Sequence, residues 1–233
     1  QQALAYAMDR KQGKTPLGSG AIIDHADVRR MLGQMRSETF AARAIGLACA
    51  VAIDMARAKA TPEWQARAAL LTPIAKAYGT DIGCEVASIG IQIHGGMGFV
   101  EETGAAQHYR DARIAPIYEG TNGIQAADLV GRKLTGDGGA GMATLIADVR
   151  AEAEDARLIA LTHLVEKLTA HLLEVDVDDR LAASYPYLTM VSVMTCGWLM
   201  ERQARVATDL LERGEGDPAF LRAKVVTARY YLA

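Results

Sequence analysis

The residue in this sequence best placed to do chemistry is Glu119. It sits in the stretch Arg110-Asp111-Ala112-Arg113-Ile114-Ala115-Pro116-Ile117-Tyr118-Glu119-Gly120-Thr121-Asn122-Gly123-Ile124-Gln125, where charge, chain breakers and a helix start meet. Pro116 lacks an amide donor and pushes Ala115 out of the helical region, so any helix before it must end. Glu119 follows two apolar residues, Ile117 and Tyr118, and precedes Gly120, whose missing side chain lets a ligand approach the backbone. Thr121 or Asn122 can then cap a helix, and Asn122 with Gln125 fits a capping box ahead of the apolar stripe Ile124, Leu129, Val130 and Leu134. Two readings of Glu119 are open. It is a surface glutamate in a loop that precedes a helix, or it is a general base made more basic by Tyr118, Ile117 and a bound apolar substrate. The helix start beside it also favours an anion such as a phosphate.

Other chemistries find little support. His25, His94, His108, His163 and His171 form no metal-binding spacing with Cys49, Cys84 and Cys196, so no metal is expected. No Gly-x-Ser-x-Gly occurs, and no cysteine has a basic or histidine-rich neighbourhood to activate it. The run His94-Gly95-Gly96-Met97-Gly98-Phe99 follows a helical pattern and lacks a Gly-Lys-Ser/Thr. It is therefore no phosphate loop of the usual kinds, and its spacing alone favours a helix C-cap and tight turn, with a close backbone approach to some other ligand as the alternative.

The elements that must position Glu119 all read as helices. The 233 residues are 50% hydrophobic, ample for a packed core, and 25 basic against 28 acidic residues give a formal net charge of −3 with no long block of either sign. Nucleic-acid binding is therefore not expected. Three scattered cysteines suit buried thiols in a reducing, cytoplasmic setting better than a disulfide framework. No secretory signal opens the chain, and a start at Gln1 suggests a fragment. The uncharged run from Leu181 to Met200 has bilayer-spanning length, but Pro186 and the interleaved Thr189, Ser192, Thr195 and Gly197 make it a buried helix in a bundle, and no transmembrane segment is expected.

Helical periodicity predicts the end of a helix over 3–9, a long helix to about Lys59 capped by Asp24 or Asp27, and another capped by Thr61 and kinked at Pro73. It predicts a shorter helix capped by Thr103, one from Asn122 to near Leu134, and three more over 142–173, 186–213 and 218–232, the last capped by Asp217. Nothing alternates with period two. The fold class is all-α, two helical bundles divided at the glycine-rich Gly136–Gly141, with domains at 1–135 and 142–233.

The central stretch, with its Arg110-Asp111-Ala112-Arg113 and Ile117-Tyr118-Glu119-Gly120-Thr121-Asn122, resembles the C-terminal domain of the acyl-CoA dehydrogenases. So does the upstream Ile91-Gln92-Ile93-His94-Gly95-Gly96-Met97-Gly98-Phe99, and the spacing of the two motifs also fits. The helices after Gly141 resemble the extension of the 3-methylmercaptopropionyl-CoA dehydrogenase-like branch. The resemblance implies a flavoenzyme that takes two hydrogens from an acyl-CoA thioester to give a 2-enoyl-CoA, with FAD as cofactor and Glu119 as base. It implies that Tyr118 and Gly120 line the acyl and thioester region and that Thr121 contacts the flavin. It places Arg10, Gln92, Gly95 and Gly96 toward the FAD of a neighbouring subunit. A homo-oligomer, dimer or tetramer, and an electron-transfer flavoprotein as acceptor are implied as well. The family's N-terminal helical and middle β-domains are absent here, so this chain alone is expected to be inactive. Its rivals are a helical interaction module without catalysis and an acyl-CoA oxidase, whose acceptor is oxygen.

Overall fold

The computed structural model describes residues 1–233 and is helical, with one isolated bridge between Lys11 and Ala21. Helix α1 (Gln2–Asp9) leads through a loop into α2 (Ala26–Lys59) and α3 (Pro62–His94). A one-turn α4 (Gly96–Phe99) and α5 (Ala105–Arg113) follow, and α6 (Asn122–Asp128) runs on through a π-turn at Leu129–Lys133 into α7 (Leu134–Gly136). The remaining helices are α8 (Ala140–Glu152), α9 (Ala156–Glu174), α10 (Val177–Ala182), α11 (Ser184–Glu212) and α12 (Pro218–Leu232). Two compact units result. The first comprises Gln1–Thr39 and Thr80–Pro116, the second Phe40–Gly79 and Ile117–Ala233. The second unit draws residues from both sides of the glycine-rich stretch Gly136–Gly141.

In the first unit, Ala3 and Ala7 of α1 bury against Ile93 at the end of α3, with Val28, Met31, Leu32 and Ile89 around them. Small side chains on α1 permit this close approach, and the Tyr6 ring lies 4.4 Å from the buried imidazole of His94. Asp24 does not cap α2 through its side chain. Its Oδ2 instead accepts from Thr15 Oγ1 at 2.7 Å, Ser19 Oγ at 2.8 Å and the Ser19 amide at 2.9 Å. These bonds hold its carboxyl below the usual carboxylate range and tie down the loop after α1.

The second unit packs around α11. Leu188, Val191, Met194 and Met200 of that helix are at most 1% exposed, as are Leu129, Val130 and Leu134 of the π-turn region and Met142, Leu145 and Val149 of α8. Each such side chain contributes on the order of 1.5–3 kcal/mol by leaving water. The C-terminal half of the uncharged run is thus largely buried in protein, where the Ser192 and Thr195 hydroxyls bond back to the Leu188 and Val191 carbonyls, while Leu181 and Tyr185 near its start are exposed. A different helix, α2, is long and apolar enough by composition to cross a membrane, with a mean hydropathy of 1.5 over its most apolar window. Its Ala41, Ile45 and Ala52 are core residues of the second unit, while Leu47 and Val51 are exposed.

Gly136–Gly141 forms a tight turn. Asp137 accepts from the amides of Gly139 at 3.0 Å and Gly141 at 2.8 Å. The predicted continuous helix over 142–173 is broken at Ala153–Asp155, because Glu201 of α11 takes the amides of Glu154 and Asp155, the latter at 2.8 Å. Asp155 then caps α9, accepting from the Arg157 and Leu158 amides. Asp217 caps α12 as expected, but Thr61 does not cap α3, since its Oγ1 is buried without a partner.

Asp155 gives a pH prediction. The Arg157 side chain, with the Arg157 and Leu158 amides, lowers its pKa from 3.8 to about 2. A depressed folded-state pKa contributes stability that is complete above the unfolded value and lost as pH falls through the folded one. Acid titration of stability is therefore expected to show a loss between about pH 4 and about pH 2. Asp155→Ala removes that component and costs about 1 kcal/mol near neutrality, read by urea denaturation.

Candidate active site

Glu119 lies on the short connection between α5 and α6. Helix α5 stops at Arg113, ahead of Pro116, and the chain turns through two consecutive left-handed residues, Glu119 at φ 53° and Gly120 at φ 84°. Glycine adopts that region freely, whereas a glutamate there is uncommon. The Glu119 amide donates to no acceptor within the chain, although its carbonyl lies 3.5 Å from Gln125 Nε2. The residue that caps α6 is Thr121, whose Oγ1 accepts from the Ile124 amide at 3.2 Å while its own proton stays available to donate.

Asn122 takes no part in a capping box. It is the first residue of α6, only 3% exposed, and its Nδ2 donates to the Ala77 carbonyl of α3 at 3.1 Å. Its Oδ1 accepts from Lys76 Nζ at 2.7 Å, and the same ammonium donates to the Gly120 carbonyl at 2.8 Å. Sequence reasoning missed Lys76. The available signal was a lone charge in the otherwise uncharged run from Leu70 to Tyr78.

The apolar wall expected around Glu119 is open. Glu119 is exposed, and its neighbours Ile117 and Tyr118 are 48% and 50% exposed, so they do not desolvate it. The other expected site residues, Arg10, Gln92, Gly95 and Gly96, belong to the first unit, where α1 packs on the end of α3. All four are exposed. Gly95 ends α3 at φ 61°, and neither Gly95 nor Gly96 has anything within 4 Å of where a Cβ would stand. Open backbone at Gly95 and Gly96, just after the exposed Gln92, leaves room for a ligand to approach the main chain, and Arg10 of the same unit makes no ion pair, a donor set compatible with an anionic cofactor. The third glycine of this turn has another reason to be there. A Cβ on Gly98 would lie 2.3 Å from the Ile91 carbonyl oxygen, so the turn closes directly on the last turns of α3.

The family model for the acyl-CoA dehydrogenase C-terminal domain matches residues 1–134. The chain belongs to the acyl-CoA dehydrogenase family. A second family model, described as acetyl-CoA dehydrogenase C-terminal like, matches residues 139–233. Over 255 residues the chain is 42% identical to 3-methylmercaptopropionyl-CoA dehydrogenase of Ruegeria pomeroyi, an alignment covering 98% of this chain and 42% of that protein. Among solved structures, Caenorhabditis elegans ACDH-11 in complex with C11-CoA matches 98% of this chain and 38% of its own at TM-score 0.74 and 19% identity. An acyl-CoA dehydrogenase complexed with FAD from Bacillus anthracis matches 99% and 42% at TM-score 0.71 and 20% identity. At these identities the two structures share the fold, which agrees with the all-α class read from periodicity. The chain spans about two fifths of the length of these relatives.

Proposed function

We propose that this chain acts as the C-terminal part of an FAD-dependent acyl-CoA dehydrogenase, with Glu119 as the base that removes the α-proton of an acyl-CoA thioester. What carries the reading is that one residue, on a loop held to α3, offers both a carboxylate and an uncommitted backbone amide. The carboxylate takes the proton as the α C–H bond breaks, and the amide donates to the thioester oxygen as negative charge develops there. Bound FAD supplies the acceptor for the hydride that leaves the β-carbon, so a C=C bond forms and a 2-enoyl-CoA results. Thr121, with its hydroxyl proton free, donates toward the flavin, and Tyr118 and Gly120 line the acyl and thioester region. A bound acyl chain over Tyr118 and Ile117 provides the desolvation that these half-exposed side chains do not provide by themselves. Arg10, Gln92, Gly95 and Gly96 reach FAD across a contact with a second copy in a homo-oligomer.

An electron-transfer flavoprotein reoxidises the reduced enzyme, in the cytoplasm. The test is anaerobic mixing of the full-length enzyme with acyl-CoAs of graded length. Bleaching of the flavin absorbance with formation of enoyl-CoA is the expected result, and oxidised flavin after every substrate would overturn the reading. Residues 1–233 alone, supplied with FAD and acyl-CoA, are expected to form no enoyl-CoA. Rapid reoxidation by oxygen, in place of the electron-transfer flavoprotein, would reassign the enzyme as an oxidase.

A further inference from the structure

We propose that Lys76 is a positioning residue for Glu119, fixing the loop that carries the base by bonding the Gly120 carbonyl and the Asn122 side chain together. The proposal rests on the reading of Glu119 as base. One ammonium bridges two acceptors two residues apart in the chain, at 2.8 and 2.7 Å, and the second acceptor belongs to a side chain that is itself anchored to the next residue of α3, Ala77. The result is a closed strap of three hydrogen bonds between one turn of α3 and the residues immediately after Glu119.

The strap is needed because of the backbone it restrains. Glu119 and Gly120 are consecutive left-handed residues, and neither amide donates to a backbone carbonyl of the chain. Left unrestrained, a loop of this kind samples other conformations, since a non-glycine residue at positive φ gains by leaving it. Thr121 secures the helix side through its cap, but the cap bond lies beyond Gly120 and does not hold the Gly120 carbonyl. Lys76 does. Asn122 makes the anchor specific: it is 3% exposed, so withdrawal of the ammonium removes a charge-assisted bond from a buried amide and favours displacement of the segment. Proton abstraction depends steeply on geometry, and a displacement on the order of 1 Å lowers a rate about a hundredfold.

The experiment uses the full-length enzyme with Lys76→Met and Lys76→Arg, each in the parent and in the Glu119→Gln background. Flavin content, KM for acyl-CoA, melting temperature, the first-order rate of anaerobic flavin reduction, and its primary isotope effect with α-deuterated substrate are read together. Lys76→Met is expected to keep its flavin and its KM while reduction slows about a hundredfold with a larger isotope effect, because abstraction becomes more fully rate-limiting. Lys76→Arg, which keeps a cationic donor, is expected to recover most of that loss. In the Glu119→Gln background Lys76→Met is expected to have no further effect, as two residues acting through one step are not additive.

Reduction at the parent rate in Lys76→Met overturns the proposal. So does an equal loss in both backgrounds, or a Lys76→Arg variant no faster than Lys76→Met. Lys76→Gln, a milder change, carries the same comparison if the methionine variant loses its flavin on purification, and a parent-like rate there is equally fatal. Should Glu119→Gln itself reduce flavin at the parent rate, the base assignment fails, and it fails independently of any Lys76 result.

Discussion

In the full-length enzyme, Glu119→Gln is expected to leave FAD bound and, if Glu119 is the base, to slow flavin reduction by acyl-CoA by about 10²–10⁴-fold. The substitution keeps the shape and the left-handed backbone preference of the residue almost unchanged, so the Lys76 and Thr121 bonds that hold the loop survive it. What it removes is the ability to accept a proton, since a carboxamide is not a base near neutrality. A thousandfold loss corresponds to about 4 kcal/mol of transition-state stabilisation. On the proposed reading the backbone amide stays in place to donate to the thioester oxygen, so residual reduction above the uncatalysed rate is expected. Glu119→Asp separates basicity from reach. It retains a carboxylate but withdraws it by one methylene, and a loss of about a hundredfold is expected. Stopped-flow loss of flavin absorbance checks both variants, and undiminished bleaching by the glutamine variant would remove Glu119 from the role.

The second large effect concerns folding. Gly98→Ala places a methyl 2.3 Å from the Ile91 carbonyl oxygen and 2.9 Å from the His94 Cβ, and the first of these is backbone that cannot rotate away. The turn after α3 must open. Overpacking of this kind costs about 1–3 kcal/mol or more, which lowers the melting temperature by about 2–4 °C for each kcal/mol in a chain of this length. Gly95→Ala and Gly96→Ala provide the contrast, because neither methyl meets a neighbour, although Gly95 also has φ 61° and is strained by any side chain. Gly96→Ala is therefore expected to melt within a degree or so of the parent, and a Gly98→Ala protein that does the same would show that the turn can yield. If Gly96 does face FAD, its alanine variant loses flavin without losing stability. That outcome separates the two uses of one glycine turn.

Most helices were legible because their apolar residues recur at helical spacing over long runs, as in α2, α3 and α11, and because Asp217 with Pro218 marks a helix start by local chemistry alone. The break at Ala153–Asp155 was not legible. Its residues, Ala151-Glu152-Ala153-Glu154, favour helix, and the helix ends there because of Glu201, a side chain 46 residues further on that takes the Asp155 amide. The same distance problem hid the role of Asn122, which local pattern reads as a cap. Its partners Lys76 and Ala77 come from α3, and a capping residue does not need such partners. Asp24 was misassigned for a related reason: a carboxylate just ahead of a helix has the right address for a cap, but Thr15 and Ser19 engage its Oδ2. The candidate base itself was visible because its neighbours in sequence, Pro116, Gly120 and Thr121, already dictate a turn followed by a helix start. Its open surroundings were not, since solvent exposure depends on what the rest of the molecule brings over the loop.

The left-handed backbone at Glu119 also bears on what selection does to this loop. A non-glycine residue in that region costs on the order of 1–3 kcal/mol, and glycine or asparagine there relieves much of it. A laboratory lineage rewarded for heat resistance and nothing else would drift toward those two residues, becoming hardier as its turnover vanished. Persistence of glutamate at 119 through such a regime, with activity unmonitored, would mean that the residue is held by folding and that its chemistry is incidental.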